Sequence, residues 1–445
     1  MLKEIKLTLK LGWPIILGNL TQMSLGIIDS AMVGSIHSSQ LAAASFVNNI
    51  IGLPMVFSLG FTMAISPLVA AAQGASDYDK PLRILYNGAW VSGIISTLFA
   101  IALHLGNNMV FHMGQDEVVG QLAGPYLIWM GWGIVPMVLF SILKNFTDGL
   151  GFTKWPLYIA LSALPINVLL NYALIFGRLG APSLELAGAG IGTLISRIFT
   201  VVAILLLISY HKDFSPFRQN LSAQLKFKKS RIKDVIRLGI PAGFQYGMEA
   251  GAFAFSGIMV GWLGYVQQAA HQIALSIAAL TFMVSLGISA TGSIRVGYAF
   301  GKNDWQQVRN IGKTTIWLAG GYGVLCAIFY MLFRNNLPLL FNDEQEVINY
   351  AVTLLLLAGI FQISDSVQAV AVGLLRGIQD VKIPTLLVAI AYWVIGIPFG
   401  YLLAFQLNLE VYGLWMGLVI GLSASAFLLT RRFSSLSTKQ LKTIQ

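Results

Sequence analysis

The sequence predicts an all-α integral membrane protein of twelve transmembrane helices in two pseudo-symmetric six-helix bundles. Three observations predict it: the composition, the number of apolar stretches long enough to cross a bilayer, and an internal repeat that holds its register. Of the 445 residues, 56% are apolar and 10% charged, and the mean hydropathy is +0.74. Soluble domains carry about 25% charged residues, so a soluble globular protein is excluded. The 45 glycines and 14 prolines suit membrane helices, which tolerate both. The single cysteine, Cys326, rules out a disulfide framework and a cysteine-based metal centre. The five histidines show no paired helical spacing of the HExxH kind, so familiar metalloenzyme chemistry finds no support.

A membrane helix needs about 20 apolar residues. Twelve stretches qualify: 12–36, 46–71, 84–106, 120–145, 155–177, 186–210, 236–262, 269–300, 312–333, 346–375, 383–406 and 411–430. They are continuous apolar runs and not short alternating segments, which excludes a membrane β-barrel. The opening MLKEIKLTLK has no small-residue cleavage site after a short apolar core, so no removable signal peptide is expected. The spans end at short polar turns, with one exception. Residues 211–235 form the longest hydrophilic segment, with a basic cluster of Lys226, Lys228, Lys229, Arg231 and Lys233.

The net charge of +10 is a topology signal. With twelve spans both termini lie on one side. Of the 28 basic residues, only Arg178 and Arg334 then fall in loops of the opposite side, and only Arg197 falls inside a span. The positive-inside rule assigns the basic side to the cytoplasm. The excess charge has affinity for anionic lipid and is not a nucleic-acid footprint.

The halves repeat. Leu11-Gly12-Trp13-Pro14 matches Leu238-Gly239-Ile240-Pro241, Met32-Val33-Gly34 matches Met259-Val260-Gly261, and Ser58-Leu59-Gly60 matches Ser285-Leu286-Gly287, all at one offset. Gly149 to Pro156 aligns with Gly377 to Pro384 one residue further on. A register held over this distance indicates duplication. The expected organisation is a lobe over 1–210, a cytoplasmic linker over 211–235 and a second lobe over 236–445. Two six-span halves enter the membrane in the same orientation, the arrangement of parallel-repeat transporters, with a cavity between bundles that rock against each other.

Three acids lie inside spans: Asp29, Glu249 and Asp365. Each costs roughly 2.5–3.5 kcal/mol on insertion scales, so it is expected to face a cavity, a cation or a partner. Asp29 lies about 26 Å along its helix from Gly12, and Asn171 about 24 Å from the same side of the membrane. Asn19, Gln22, Gly26 and Asp29 share one helix face, as do Asn167 and Asn171, and Thr193 is expected at a similar depth. These groups suit a small hard cation or a hydrogen-bond network around a protonated carboxyl. The bland alternative is an Asp29–Arg197 structural pair. Glu249 and Asp365 fall at matching depths and form a second candidate cation site, with Gln245, Gln362 and Ser364 as further donors. The rings of Phe244, Phe253 and Phe361 suit an organic cation; the bland alternative for most of them is packing or contact with lipid.

These features together resemble the multidrug and toxic compound extrusion (MATE) family. The stretch Ile28-Asp29-Ser30-Ala31-Met32-Val33-Gly34, the run Pro165 to Tyr172, Glu249, and Asp365 ahead of Leu375-Arg376-Gly377 carry the resemblance, which covers the whole chain. The acids at 249 and 365 point to the NorM-like branch. The resemblance implies V-shaped lobes in a bacterial inner membrane, a monomer, no cofactor beyond the coupling ion, and Na⁺- or H⁺-driven export of lipophilic cations. It implies Glu249 and Asp365 as Na⁺ ligands. It also implies Asp29, Asn167, Asn171 and Thr193 as a network coupled to protonation or sodium. Gln22, Gln245, Phe253, Phe361 and Gln362 are the expected substrate-cavity residues. Asn171 stands where some relatives carry an acid, which favours the second half for metal. The runner-up is a lipid-linked oligosaccharide flippase of the same superfamily, whose pyrophosphate calls for a cationic cavity. An enzyme would need a partner for Asp77, Asp79 or Asp148, and the sequence supplies none.

Overall fold

The computed structural model describes residues 2–217 and 229–444, and these are helices joined by short turns. In chain order the helices are α1 (Leu2–Gly34), α2 (Ser38–Thr62), α3 (Ile65–Gly74), α4 (Lys80–Leu105), α5 (Glu117–Gly149), α6 (Lys154–Phe176) and α7 (Glu185–Tyr210). They continue with α8 (Lys229–Gly261), α9 (Tyr265–Gly301), α10 (Trp305–Phe333), α11 (Gln345–Gly377), α12 (Lys382–Ala389), α13 (Ile397–Tyr401) and α14 (Glu410–Ile444). Among the described residues, 11 helical segments are long and apolar enough to cross a membrane, with α2 and α3 counting as one and 382–406 as another. The twelfth expected span is α8, whose 33 residues exceed the required length. Its Arg237, Gln245 and Glu249, and its glycines, lower its apolarity. Outward faces confirm the solvent: Trp90, Ile94 and Leu98 on α4, and Leu325, Ile328 and Leu332 on α10, are all exposed. Helix faces this apolar are stable against hydrocarbon and not against water.

Several spans run past their expected ends. The helix of the first begins at Leu2, because LKEIKLTLK has no breaker and continues the helical ladder. The last continues from 430 to Ile444 through a polar, basic tail. The span over 383–406 is the irregular one. Residues Ile390–Gly396 and Leu402–Gln406 are π-helical, a widening that is rare and frequently occurs at functional sites.

The chain forms two compact units: Leu17–Gly243, and Met1–Ile16 together with Phe244–Gln445. They differ from the lobes expected at 1–210 and 236–445, because the division cuts through α1 and α8 and not through the hydrophilic linker. Close packing explains the exchange. A Cβ on Gly12 would stand 2.9 Å from Oγ1 of Thr291 on α9, so the start of α1 is seated in the unit that holds 244–445. Arg295 of α9 also donates to the Glu4 carbonyl (3.0 Å) and to Thr8 Oγ1 (2.6 Å), and forms an ion pair with Glu4. In the other unit a Cβ on Gly239, the repeat mate of Gly12, would stand 2.6 Å from the Phe61 ring of α2. The start of each half is therefore held by the second span of the opposite half. Of the linker's basic cluster, Lys226 and Lys228 lie outside the described residues.

Each unit is built around one helix. In Leu17–Gly243 it is α5, packed by α2, α4 and α7, with a core that includes Val47, Ile51, Leu127 and Ile134. In the other unit it is α11, packed by α9, α10 and α14, with Leu354, Val370, Leu374 and Trp415 among its core. These two central helices are the fourth and tenth spans, equivalent positions of the repeat.

Candidate functional site

The unit Leu17–Gly243 contains a cavity of about 380 Å³. Gln22, Gly26 and Asp29 of α1 line it, as do Asn167 of α6 and Thr193, Ser196 and Arg197 of α7. The spacing of 22, 26 and 29 puts those three on one helix face, as the sequence predicts. Asp29 is half-buried, and each of its oxygens accepts from one neutral donor. Asn171 Nδ2 donates to its Oδ1 at 2.6 Å, and Thr193 Oγ1 donates to its Oδ2 at 3.0 Å. Asn171 Nδ2 also lies 3.4 Å from Asn167 Oδ1. Asn171 is fully buried and its Oδ1 has no hydrogen-bond partner among the described residues. That oxygen presses against Gly192, the residue beside Thr193, where a Cβ would collide with it.

All four residues expected at this site are thus brought together: Asp29, Asn167, Asn171 and Thr193. Three helices contribute, with α6 packed along α7. Arg197 is within electrostatic reach of Asp29, yet the two form no ion pair within contact distance. The described ion pairs are Arg83–Asp79, Lys144–Asp148, His211–Asp213, Arg295–Glu4 and Arg432–Asp380. The bland alternative of a locked Asp29–Arg197 bridge therefore does not describe the molecule. Asp148, weighed as a catalytic acid, is buried and receives a 2.9 Å bond from Lys144.

The second cluster lies in the unit containing 244–445. Glu249 of α8 is half-buried, and Tyr392 Oη donates to its Oε1 at 3.5 Å. Asp365 of α11 is 4% exposed and close enough to Glu249 for the two charges to repel. Asp365 Oδ1 has no partner among the described residues, nor do the amide atoms of Gln362 and Gln368, nor Gln245 Oε1. Buried polar atoms left in this state cost about 1–3 kcal/mol each. A set of carboxylate and amide oxygens with vacant lone pairs fits a hard monovalent cation or a proton with water. Gln368, one helical turn from Asp365, reaches toward Glu249.

The expected lining residues divide. Gln22 faces the cavity described above. Gln245, Phe361 and Gln362 are instead packed into the interior of the other unit, at 1%, 3% and 0% exposure. Phe361 is held by Phe253 and Trp415, with ring centroids 5.8 and 5.6 Å away, and Phe253 in turn packs on Tyr392 at 5.8 Å. Trp415 Nε1 donates to His271 Nδ1 at 3.0 Å. These rings form a packed aromatic cluster beside the carboxylates. Ser364 turns away to Ser423 (2.8 Å), because neighbours on a helix point about 100° apart. The sequence reading missed Tyr126, Ser196, Gln368 and Tyr392. Gln368 was discoverable from its i+3 spacing to Asp365; Tyr392 was not, since only the π-helical stretch and the packing of α8 bring it to Glu249.

Residues 14–173 and 241–402 each match the MatE family, one stretch per half. The chain belongs to the MatE family. A MatE protein is a multi-pass membrane transporter, in keeping with the spans seen here. Curated relatives include the "Probable multidrug resistance protein NorM" of Mesorhizobium japonicum, 33% identical over 438 residues, covering 97% of this chain and 94% of the relative. The protein of the same description from Bradyrhizobium diazoefficiens is 34% identical over 436 residues, covering 97% and 93%. Among solved structures, the eukaryotic MATE transporter AtDTX14 superposes with a TM-score of 0.89 at 23% identity, covering 100% of this chain and 99% of that one. A MATE in the bent conformation superposes with a TM-score of 0.90 at 19% identity, covering 99% and 97%. At these identities the solved structures establish the fold, and the family supplies transport.

Proposed function

We propose that this MatE protein is a cation-coupled antiporter that exports lipophilic cationic drugs from the cytoplasm across a bacterial inner membrane. The observation that carries the reading is Asp29: an acid on the wall of a 380 Å³ cavity inside a membrane-spanning bundle, held by Asn171 and Thr193. An anion so placed is neutralised by whichever cation enters. An ion and a drug that compete for one negative charge can be exchanged across the membrane, provided the ion binds one state better than the other. The described names of the relatives, multidrug resistance proteins, support the substrate class. Glu249 and Asp365, with the unsatisfied amides of Gln362 and Gln368, are the second coupling site, and Na⁺ is its ion. Both termini lie in the cytoplasm in this reading, which the distribution of basic residues supports. The protein works as a monomer in the lipid bilayer and needs no cofactor beyond its coupling ion.

Everted membrane vesicles, given a cationic dye in the outer medium and read by its accumulation in the lumen, test the reading under an imposed sodium gradient and, separately, an imposed proton gradient. Gradient-driven dye movement is expected in the wild type. Asp365→Asn and Glu249→Gln are expected to abolish it while the protein still reaches the membrane. Full transport in both variants would remove the second site from the mechanism. Absence of dye movement under either gradient would remove the antiporter reading.

A further inference from the structure

We propose that Arg376 is the release group of the Glu249–Asp365 site, a tethered cation whose guanidinium replaces the bound sodium ion at Glu249 and so discharges it toward the cytoplasm. The proposal rests on the reading of that pair as the sodium site and supplies a step the pair cannot perform for itself. Two carboxylates that share a buried site repel one another once their cation has left, so a second positive charge eases its departure.

Four observations lead there. Arg376 lies in the last turn of α11, the helix that carries Asp365, and is only 4% exposed. A cation in that position ordinarily bonds the free carbonyls of the helix end. Arg376 does otherwise: its Nε and Nη2 are buried without a hydrogen-bond partner among the described residues. Its guanidinium lies instead over the Tyr246 ring of α8, 5.5 Å from the centroid. Tyr246 precedes Glu249 by three residues, so the two share a helix face about one turn apart. Side chains lean toward the N-terminus of their helix, which for α11 is the direction of Asp365. The guanidinium therefore stands next to the carboxylates, on the side that the reading assigns to the cytoplasm, and within electrostatic reach of Glu249. It has no acid of its own among the described residues: Asp380, just past the helix end, is paired with Arg432.

The repeat supplies the fourth observation. The register that aligns Gly149 with Gly377 makes Asp148 the counterpart of Arg376. There the charge is acidic and is closed locally by Lys144, with Nζ at 2.9 Å. The counterpart of Lys144 is Val372. The duplicated fold is thus satisfied by a closed pair at this position and has no need of an unpaired guanidinium.

Arginine suits the task because it keeps its charge in an apolar interior. A cation–π contact is weak beside a charge-assisted bond to a carboxylate. While sodium occupies the pair, its charge repels the guanidinium and the Tyr246 ring holds it aside. When the site opens to the cytoplasm, the guanidinium passes from the ring to Glu249 and the ion leaves. Sodium entering from the other side reverses the exchange.

Sodium binding to purified protein in lipid nanodiscs tests the proposal, read with radiolabelled sodium in a scintillation proximity assay at fixed pH. Arg376→Gln is expected to lower the half-saturating sodium concentration by about tenfold, because a repelling charge is gone. Arg376→Lys keeps the charge and is expected to stay within about threefold of the wild type. Tyr246→Leu frees the guanidinium for Glu249 and is expected to raise the half-saturating concentration by about threefold, an increase that Arg376→Gln removes in the double variant. An arginine with a merely structural role gives the opposite sign, since its loss loosens the site and weakens sodium binding. Unchanged or weakened binding in Arg376→Gln overturns the proposal, as does equal tightening in Arg376→Lys. If neither Arg376 variant yields monodisperse protein, Tyr246→Leu decides, and unchanged or tightened binding there overturns the proposal. These outcomes defeat this inference alone. A wild type that binds no sodium, or whose bound sodium survives Asp365→Asn, defeats the sodium-site reading beneath it as well.

Discussion

Asp29 shows how much one side chain depends on its neighbours. Its two oxygens accept from Asn171 and Thr193, and Asn171 is held in place against Gly192. A methyl group at Gly192 has no room, and Asn171 is the part that would give way. Gly192→Ala is therefore expected to lose most transport, by about tenfold or more, with little change in membrane expression, since a hydrogen bond to a charged group contributes about 1.5–3 kcal/mol. Drug efflux normalised to immunoblot signal checks it. At Glu249, Tyr392→Phe removes a hydroxyl 3.5 Å from the carboxylate. It is expected to reduce coupling to the ion gradient several-fold more than it reduces dye binding. Equal losses in both measurements would count against a coupling role. The residue scale was largely legible: acids and amides in spans stand out against a lipid background, and helical spacing placed Asp29 with Gln22 and Asn167 with Asn171. Arg197 was legible as an oddity but not as an unpaired one, because pairing is a distance that sequence does not contain.

At the scale of elements, the helices were legible and their irregularities were not. Apolar length alone locates a span, as 155–177 and 186–210 illustrate against α6 and α7. The π-helical stretches at 390–396 and 402–406 have no such signature; they lie where the span over 382–406 packs on α14. There the backbones of Gly400 and Gly417 meet closely, the small-residue contact by which membrane helices approach one another. Gly417→Val is expected to lower thermal stability in detergent, by about 1–3 kcal/mol, without selectively altering ion coupling. An unchanged unfolding temperature would contradict the close packing.

At the scale of the whole molecule, the exchange of helix starts is the main departure from the sequence-based organisation. Residues 1–16 belong with 244–445, and residues up to 243 belong with the first half. The Gly12 Cβ position lies 3.7 Å from Thr291 Cβ, within the usual disulfide range of about 3.5–4.5 Å. A Gly12→Cys/Thr291→Cys pair, in a Cys326→Ser background, is expected to oxidise readily. If the seated start of α1 must move during transport, the oxidised protein stalls and reductant restores efflux. Full efflux by fully oxidised protein would show that this contact persists throughout the cycle.

From composition and spacing alone followed the membrane-spanning helices, the duplicated halves and the acids that need shielding. The spans and the shielded acids follow from the cost of placing polar atoms in hydrocarbon, a cost each residue carries with it wherever the chain goes, and the duplication follows from a repeat that holds its register. Distances in the folded molecule were needed to see that Asp29 accepts from an amide and a hydroxyl while Arg197 Nη1 has no partner among the described residues. They were also needed to see that Phe361 is packed and not lining a cavity, and that each half's first helix is anchored by the other half. These are matters of distance between residues remote in the chain, fixed by close packing and not by composition.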